Sequence, residues 1–468
     1  MAVLDEPVIE FDRPARTVPD EVLRLAAVIG IVGATAITAR AGLGSALVLA
    51  ALALGLAHTV RSHPGAVRLI GVAGGLLPFL VIRDNSWLAL CIVGTSGLIG
   101  AFAMTMTGTG QQVFDYRLGA LFRLEPKAGA VLAAADLEPR RSAGSGVAVA
   151  RGLLFAALVT WLFWLLLAEA DAVFARVINL GQLPFARAAV AVVLAGLFLA
   201  VALVATMGRT AGPASGRGPL GMVECTMVLG ALDVLFLSFV VLRLGNLGQP
   251  LSEDAWRSEV RSGFFQLLFV AALTVALVLL LRRLVRTEAP ADLRRFRGLA
   301  LTTVVLAALI DVIALQRIAE YVQRNFMTPL RWWSFGFGVF LLVVLGLVAV
   351  RVLGWRSERE WVSGAVVCTW LAFVAVMALS YPDQRMADYN FDNPRTSDGV
   401  ISVQALFWLS EDATPVIVDR IDALRPLSNS RFDRMVAHLC ATAPQDSWRQ
   451  FNFARSDAER ATKELCAP

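Results

Sequence analysis

Two aspartates sit where an ionised carboxylate is hardest to keep. Asp233 lies about midway through an apolar run at 222–243, and Asp311 lies deep in another at 298–316. A charge at the bilayer centre costs about 2.5–3.5 kcal/mol on insertion scales, so each acid there must be paired, hydrated or protonated. Such acids can relay a proton or a cation. Each can equally be a neutral acid hydrogen-bonded to a neighbouring helix. Just beyond Asp311 come Gln316, Arg317, Glu320, Tyr321 and Arg324. On a helix, Arg317 shares a face with Glu320 and with Tyr321, and Glu320 can pair with Arg324. Glu169 and Asp171 end an earlier apolar run at the same membrane level. If the two runs are neighbours, Asp171 meets Arg317 in a polar pocket that opens outward; the other reading of this cluster is a solvated structural network.

Catalytic spacing is sparse. The histidines His58, His63 and His438 fall at the end of an apolar run, in a loop and in the polar tail. No His, Cys and carboxylate set has metal-ligand spacing, so no metal and no cofactor is expected. No nucleophile elbow is present, and Gly108-Thr109-Gly110 lacks the lysine of a phosphate-binding loop. A membrane transferase working through outer-face carboxylates stays open as a further class.

The elements that must position these residues are membrane spans. The chain is 57% hydrophobic and 17% charged, with a mean hydropathy of +0.66, too apolar for an ordinary soluble domain. A helical crossing needs about 20 apolar residues. Candidate spans fall at 23–39, 43–60, 67–82, 86–106, 149–169, 188–207, 222–243, 263–281, 298–316, 332–350 and 361–380. The runs are continuous rather than alternating, which excludes a strand barrel. The expected fold is therefore all-α: a polytopic transmembrane bundle of about 11 spans with a small helical extracytoplasmic C-terminal region. Its parts are a disordered cytoplasmic N-terminus (1–20), four helices (21–107), a cytoplasmic loop with an interfacial helix (108–146), a seven-helix core (147–380) and a helical tail (381–468).

Loop charge sets the orientation. Arg282, Arg283, Arg286, Arg294, Arg295 and Arg297 crowd one loop, and Arg117, Arg123, Lys127, Arg140 and Arg141 another on the same side. Basic loops stay cytoplasmic, which puts the N-terminus inside and the tail outside the membrane. The +5 net charge belongs to these loops and implies no nucleic acid. Cys440 and Cys466 lie together in the tail, where an oxidising exterior would let them pair; two unrelated free thiols are the other reading. Gly94, Gly97 and Gly100 offer a small-residue face for helix packing. In the tail, Ser410 reads as the cap of a helix starting at Glu411, with Arg431–Ala441 and Asp446–Leu465 as further amphipathic helices.

Several short stretches, in order along the chain, carry a family resemblance. They are Ala170-Asp171-Ala172-Val173-Phe174-Ala175, with Ala172 where the family has proline, and Arg261-Ser262-Gly263-Phe264-Phe265-Gln266-Leu267. Arg317, Tyr321, Thr328 and Arg331 follow, then Tyr389-Asn390 and Leu409-Ser410-Glu411-Asp412-Ala413-Thr414-Pro415. Over roughly 145–425 the chain resembles a bacterial membrane family, domain of unknown function 4173, and its relative numbered 4153. The resemblance implies a many-span membrane protein with an extracytoplasmic C-terminal end, and no assigned activity. Three classes follow: transport of an ion or a small or lipid-like solute; a scaffold or signalling subunit that binds a protein partner through 381–468; and the membrane transferase.

Overall fold

A computed structural model describes residues 40–109, 145–171, 174, 220–245, 253–285, 289–355, 361–394, 403–425, 429–441 and 447–467, with scattered residues between 24 and 36. Among these residues the secondary structure is helical apart from one isolated bridge between Leu220 and Val285. The bundle comprises α1 (Leu43–Thr59), α2 (Pro64–Gly74), α3 (Phe79–Ile82), α4 (Ser86–Thr109), α5 (Ser145–Ala170), α6 (Met222–Gly245), α7 (Glu253–Leu284), α8 (Pro290–Arg324), α9 (Pro329–Leu353) and α10 (Trp361–Leu379). The tail adds α11 (Pro382–Asp392), α12 (Val403–Phe407), α13 (Thr414–Asp419), α14 (Asn429–Cys440) and α15 (Phe453–Thr462), with a 3-10 turn at Glu411–Ala413 and another at Trp448–Gln450.

Among the described residues, eight helical segments are long and apolar enough to cross a membrane: Pro64–Ile82, Ser86–Met104, Leu153–Ala170, Met222–Leu244, Phe264–Arg282, Pro290–Arg324, Pro329–Leu353 and Trp361–Leu379. They account for eight of the eleven expected spans. The helix at 43–60 is apolar and 17 residues long, at the lower end of the length a crossing takes. The span at 23–39 is described only in part. The span at 188–207, the N-terminal lead, most of the loop 108–146 and the Ser252 cap lie outside the described residues.

Helices win in these segments because lipid offers no partner to a free N–H or C=O, so each apolar run must satisfy its own backbone. Proline marks the starts: Pro64, Pro290, Pro329 and Pro382 each open a helix, where the missing N–H costs nothing. Gly354 stops α9. Its φ of 98° suits glycine, and the bonds from Gly354 N–H to Arg351 O (3.1 Å) and from Trp355 N–H to Val350 O (3.4 Å) close a Schellman turn. His63 caps α2, its Nδ1 accepting from Ala66 N–H at 3.3 Å.

The core divides in two within the membrane. Helices α5 to α9 share one apolar cluster, and α1 to α4 share another with α9 and α10. α8 is the central element, packed on α6, α7 and α9. At 35 residues it is about 52 Å long, well beyond a hydrocarbon core of about 30 Å. α5 and α6 run parallel: Phe163 meets Phe236 and Phe174 meets Phe239, each at 5.3 Å between ring centroids. Their C-terminal ends therefore share one face of the bundle, the face on which the tail sits. Of Gly94, Gly97 and Gly100 in α4, Gly100 alone backs onto a described neighbour, Leu56 of α1. Beside Gly94 and Gly97 there is open space among the described residues.

The tail differs from its expected outline at two points. Ser410 precedes a 3-10 turn and gives it no side-chain cap; its hydroxyl donates instead to Asp383 Oδ2 at 2.5 Å. The stretch 446–465 is not one helix. Asn452 breaks it, its Oδ1 accepting from Ala454 N–H at 2.9 Å and Arg455 N–H at 3.4 Å to start α15. Cys440 and Cys466 are bonded, with their Cα atoms 5.6 Å apart.

Candidate functional site

The intramembrane acids lie along the buried side of α8. Asp311 is 0% exposed, flanked by the core residues Ile310, Ala307 and Ala314. Neither of its oxygens has a hydrogen-bond partner among the described residues. Asp233 of α6 is half-buried, and Thr303 of α8 donates to its Oδ1 at 2.6 Å. Thr303 Oγ1 also lies 3.0 Å from Leu299 O, so one hydroxyl proton serves two acceptors.

At the tail-side end of this line, α8 meets α5 and α6. Arg317 donates to the Asp171 carboxylate through Nη2 and to Ala170 O at 2.9 Å through Nη1. Arg243 of α6 brings a second guanidinium within 3.7 Å of the same carboxylate. Asp171 Oδ1 also accepts from Phe174 N–H at 3.0 Å. The side chains of Asp171 and Arg317 are each 3% exposed, so the pair is sealed between helices and does not line an open pocket. Gln316 donates to Glu320 at 3.3 Å, and the Tyr321 ring lies 4.4 Å from the guanidinium carbon of Arg331.

A second polar centre lies on the same face, outside the membrane spans. Residues 83–85, the link between α3 and α4, meet α11 and the 3-10 turn at 411–413. Asn85 donates to Asp383 Oδ2 at 2.7 Å, and Asp84 N–H donates to Asp412 Oδ2 at 3.0 Å. Arg83 lies 3.7 Å from Asp412 and stacks on Tyr381 at 3.2 Å from the ring centroid. Tyr381 is the one described non-glycine residue with positive φ, 51°. Arg455 binds Asp84 Oδ1 at 3.1 Å, Gln450 O at 2.8 Å, and Ala41 O. Asn452 donates to Leu80 O at 3.1 Å and Arg83 O at 2.9 Å.

Burial holds this group of acids above the ordinary carboxylate range. It raises Asp84 against the lowering pull of Arg455. It raises Asp383 despite the hydrogen bonds from Ser410 and Asn85. It raises Glu411, with Asp84 adding to the effect. Asp412 is pushed up to about 7, by burial first and then by the nearby Asp383, with Arg83 opposing. Among the described residues, no three His, Cys, Asp or Glu side chains gather closely enough to hold a metal ion.

The model of a family described as a domain of unknown function, DUF4153, matches residues 25–420. The chain belongs to the DUF4153 family. The match is thus to the relative rather than to DUF4173, and it reaches further toward the N-terminus than the motifs at 145–425 do. No curated protein and no solved structure matches the chain.

Residues of this second centre escaped sequence reading as a site, although part of the signal was present. Ser410, Glu411 and Asp412 belong to a stretch that carried the family resemblance, but their acids read as helix-start charges. Nothing local ties Arg83, Asp84 and Asn85 to residues about 300 positions later. Asn452 and Arg455, which fasten the tail to the bundle, lie beyond the DUF4153 match.

Proposed function

We propose that this DUF4153 protein moves protons or a small cation across the membrane along the buried side of α8. Asp311 carries the reading: a fully buried carboxyl whose two oxygens lack partners among the described residues is a group built to exchange a proton or receive a cation. Thr303, Asp311 and Arg317 fall within about 120° of one another around α8. They span about 21 Å of its length, most of the hydrocarbon thickness of about 30 Å. The shared proton of Thr303 fits a relay, because a neutral Asp233 can donate to Thr303 when Thr303 donates to Leu299 O.

The topology we assign has eleven spans, with the N-terminus cytoplasmic and the tail outside the bacterial plasma membrane. The parallel run of α5 and α6 supports a crossing at 188–207, since the chain must return between them to the opposite face. In this assignment 1–20 is the cytoplasmic lead, 21–107 and 147–380 hold four and seven helices, 108–146 is the cytoplasmic loop and 381–468 the outer tail. A second reading, a partner-binding subunit, is favoured by the aromatics Trp448 and Phe453, exposed on the tail.

The test is proton flux in reconstituted vesicles loaded with a pH-sensitive dye, driven by a potassium diffusion potential. Wild-type protein should acidify or alkalinise the lumen with the sign of the potential. Asp311→Asn should fall to the leak of empty vesicles while inserting and melting as wild type. Flux through Asp311→Asn equal to wild type refutes the relay.

A further inference from the structure

A cleft of about 470 Å³ opens beside the second polar centre, and its walls include Arg40, Asp84, Trp87, Asp383, Trp408 and Glu411. That volume suits a small organic group, within the range of about 300–1,000 Å³ typical of ligand sites. Its charge is lopsided: three carboxylates face one arginine, with His438 the only other ionisable side chain on the wall. Asp84 is paired with Arg455 at 3.1 Å, and Glu411 lies 3.8 Å from Arg40. Asp383 has no cation in reach among the described residues. It is 1% exposed, and its Oδ1 has no hydrogen-bond partner, while Oδ2 is held by Asn85 and Ser410. A buried carboxylate oxygen fixed in place and left unmatched at a cleft wall calls for a donor with positive charge.

The remaining walls say which cation. Trp87 and Trp408 are 44% and 58% exposed, and indole faces attract an ammonium group. A bare metal ion would instead need a cage of oxygen ligands. The cleft also has a defined depth. Trp87 lies in the first turn of α4 and Pro329 opens α9, so its mouth sits where spans leave the bilayer and lipid headgroups lie. Arg40, with half its side chain exposed, adds a guanidinium suited to phosphate.

We propose that this cleft binds a phosphorylated primary amine of the phosphoethanolamine type, its ammonium on Asp383 beside Trp87 and Trp408 and its phosphate on Arg40. The position favours the headgroup of a membrane lipid as the source. This site is independent of the relay along α8.

The experiment titrates the detergent-purified full chain by calorimetry with three probes: dihexanoyl-phosphatidylethanolamine, dihexanoyl-phosphatidylglycerol and free O-phosphoethanolamine. The ethanolamine lipid should bind saturably and the glycerol lipid at least about tenfold more weakly, since it lacks the ammonium. Asp383→Asn should lose about tenfold in affinity for the ethanolamine lipid, and Trp408→Ala about threefold. Trp408 is largely exposed, so its variant keeps the test alive if Asp383→Asn melts early. Binding of free O-phosphoethanolamine as tightly as the lipid supports the site with a soluble source; its failure to bind supports the bilayer as source. Equal affinity for the two lipids, or an unchanged affinity in Trp408→Ala and a folded Asp383→Asn, overturns the proposal.

Discussion

Raising the pH from about 4 to 8 should loosen the tail from the bundle, and Asp412→Asn should remove much of that response. The carboxyl of Asp412 titrates at about 7 in the folded chain, against 3.8 for a free aspartate. Below the free value both the docked and the released carboxyl hold a proton, and the stabilisation is fully present. Between the two values the docked form keeps a proton that the released form has lost, so stability falls as pH rises. Above about 7 both are ionised and the contribution is gone. At 1.36 kcal/mol for each pH unit, the interval is worth about 4 kcal/mol, the opposing pull of Arg83 being already contained in the raised value. Asp84, Asp383 and Glu411 are raised in the same sense, so the wild-type slope should be at least that of Asp412 alone. Hydrogen exchange over 403–425, read at several pH values after correction for intrinsic rates, measures the effect. Wild-type protection should drop toward pH 8; Asp412→Asn should show a shallower slope and at least wild-type protection at pH 8. Protection that climbs with pH in the wild type, or a full slope kept by Asp412→Asn, refutes the reasoning.

Three further outcomes follow from the geometry. Asn452→Ala removes the cap of α15 and two bonds to buried carbonyls, about 1 kcal/mol for the cap and about 1–3 kcal/mol for each carbonyl stranded; limited proteolysis should then cut the tail near 447–453 much faster. Exchanging the charges of Asp171 and Arg317 should fail to restore the stability lost in either single reversal, because Arg243 would then face a new arginine. Adding Arg243→Gln to the exchange should recover part of it, whereas thermal melting that shows full rescue by the simple exchange would deny Arg243 its place. Reducing the Cys440–Cys466 bond, which closes a separation of 26 residues, should destabilise the tail by about 3.5 kcal/mol on the loop-entropy scale and leave the melting of the membrane helices unchanged.

The membrane class and most of the helices were legible in the linear sequence. An apolar run of about 20 residues has one way to satisfy its backbone in lipid, and proline or glycine at a run's end limits where the helix starts and stops. The weak points were short or broken runs: 43–60 yields a helix of 17 residues, and 67–82 is divided between α2 and α3 by the turn after Gly74. Part of the candidate site was legible for the same reason. Depth along a span is a one-dimensional quantity, so Asp233, Asp311, Asp171 and Arg317 could be placed by level before any helix had a neighbour.

Which groups meet at a given level was a matter for the tertiary structure. Periodicity says which side of a helix is buried, but not what covers it, and each helix of this bundle has several candidates. Asp171 pairs with Arg317 because the C-terminal end of α5 reaches α8, and it gains Arg243 because α6 runs parallel to α5. Asp412 read as a helix-start charge because sequence shows only local partners. Its actual partners, Arg83 and the Asp84 N–H, reach it from 328 or more residues away. The sequence determined that this chain spans a membrane and where its costly charges sit in depth; packing alone decided which of them are neutralised, which are crowded together, and which, like Asp311 and Oδ1 of Asp383, find no hydrogen-bond partner among the described residues.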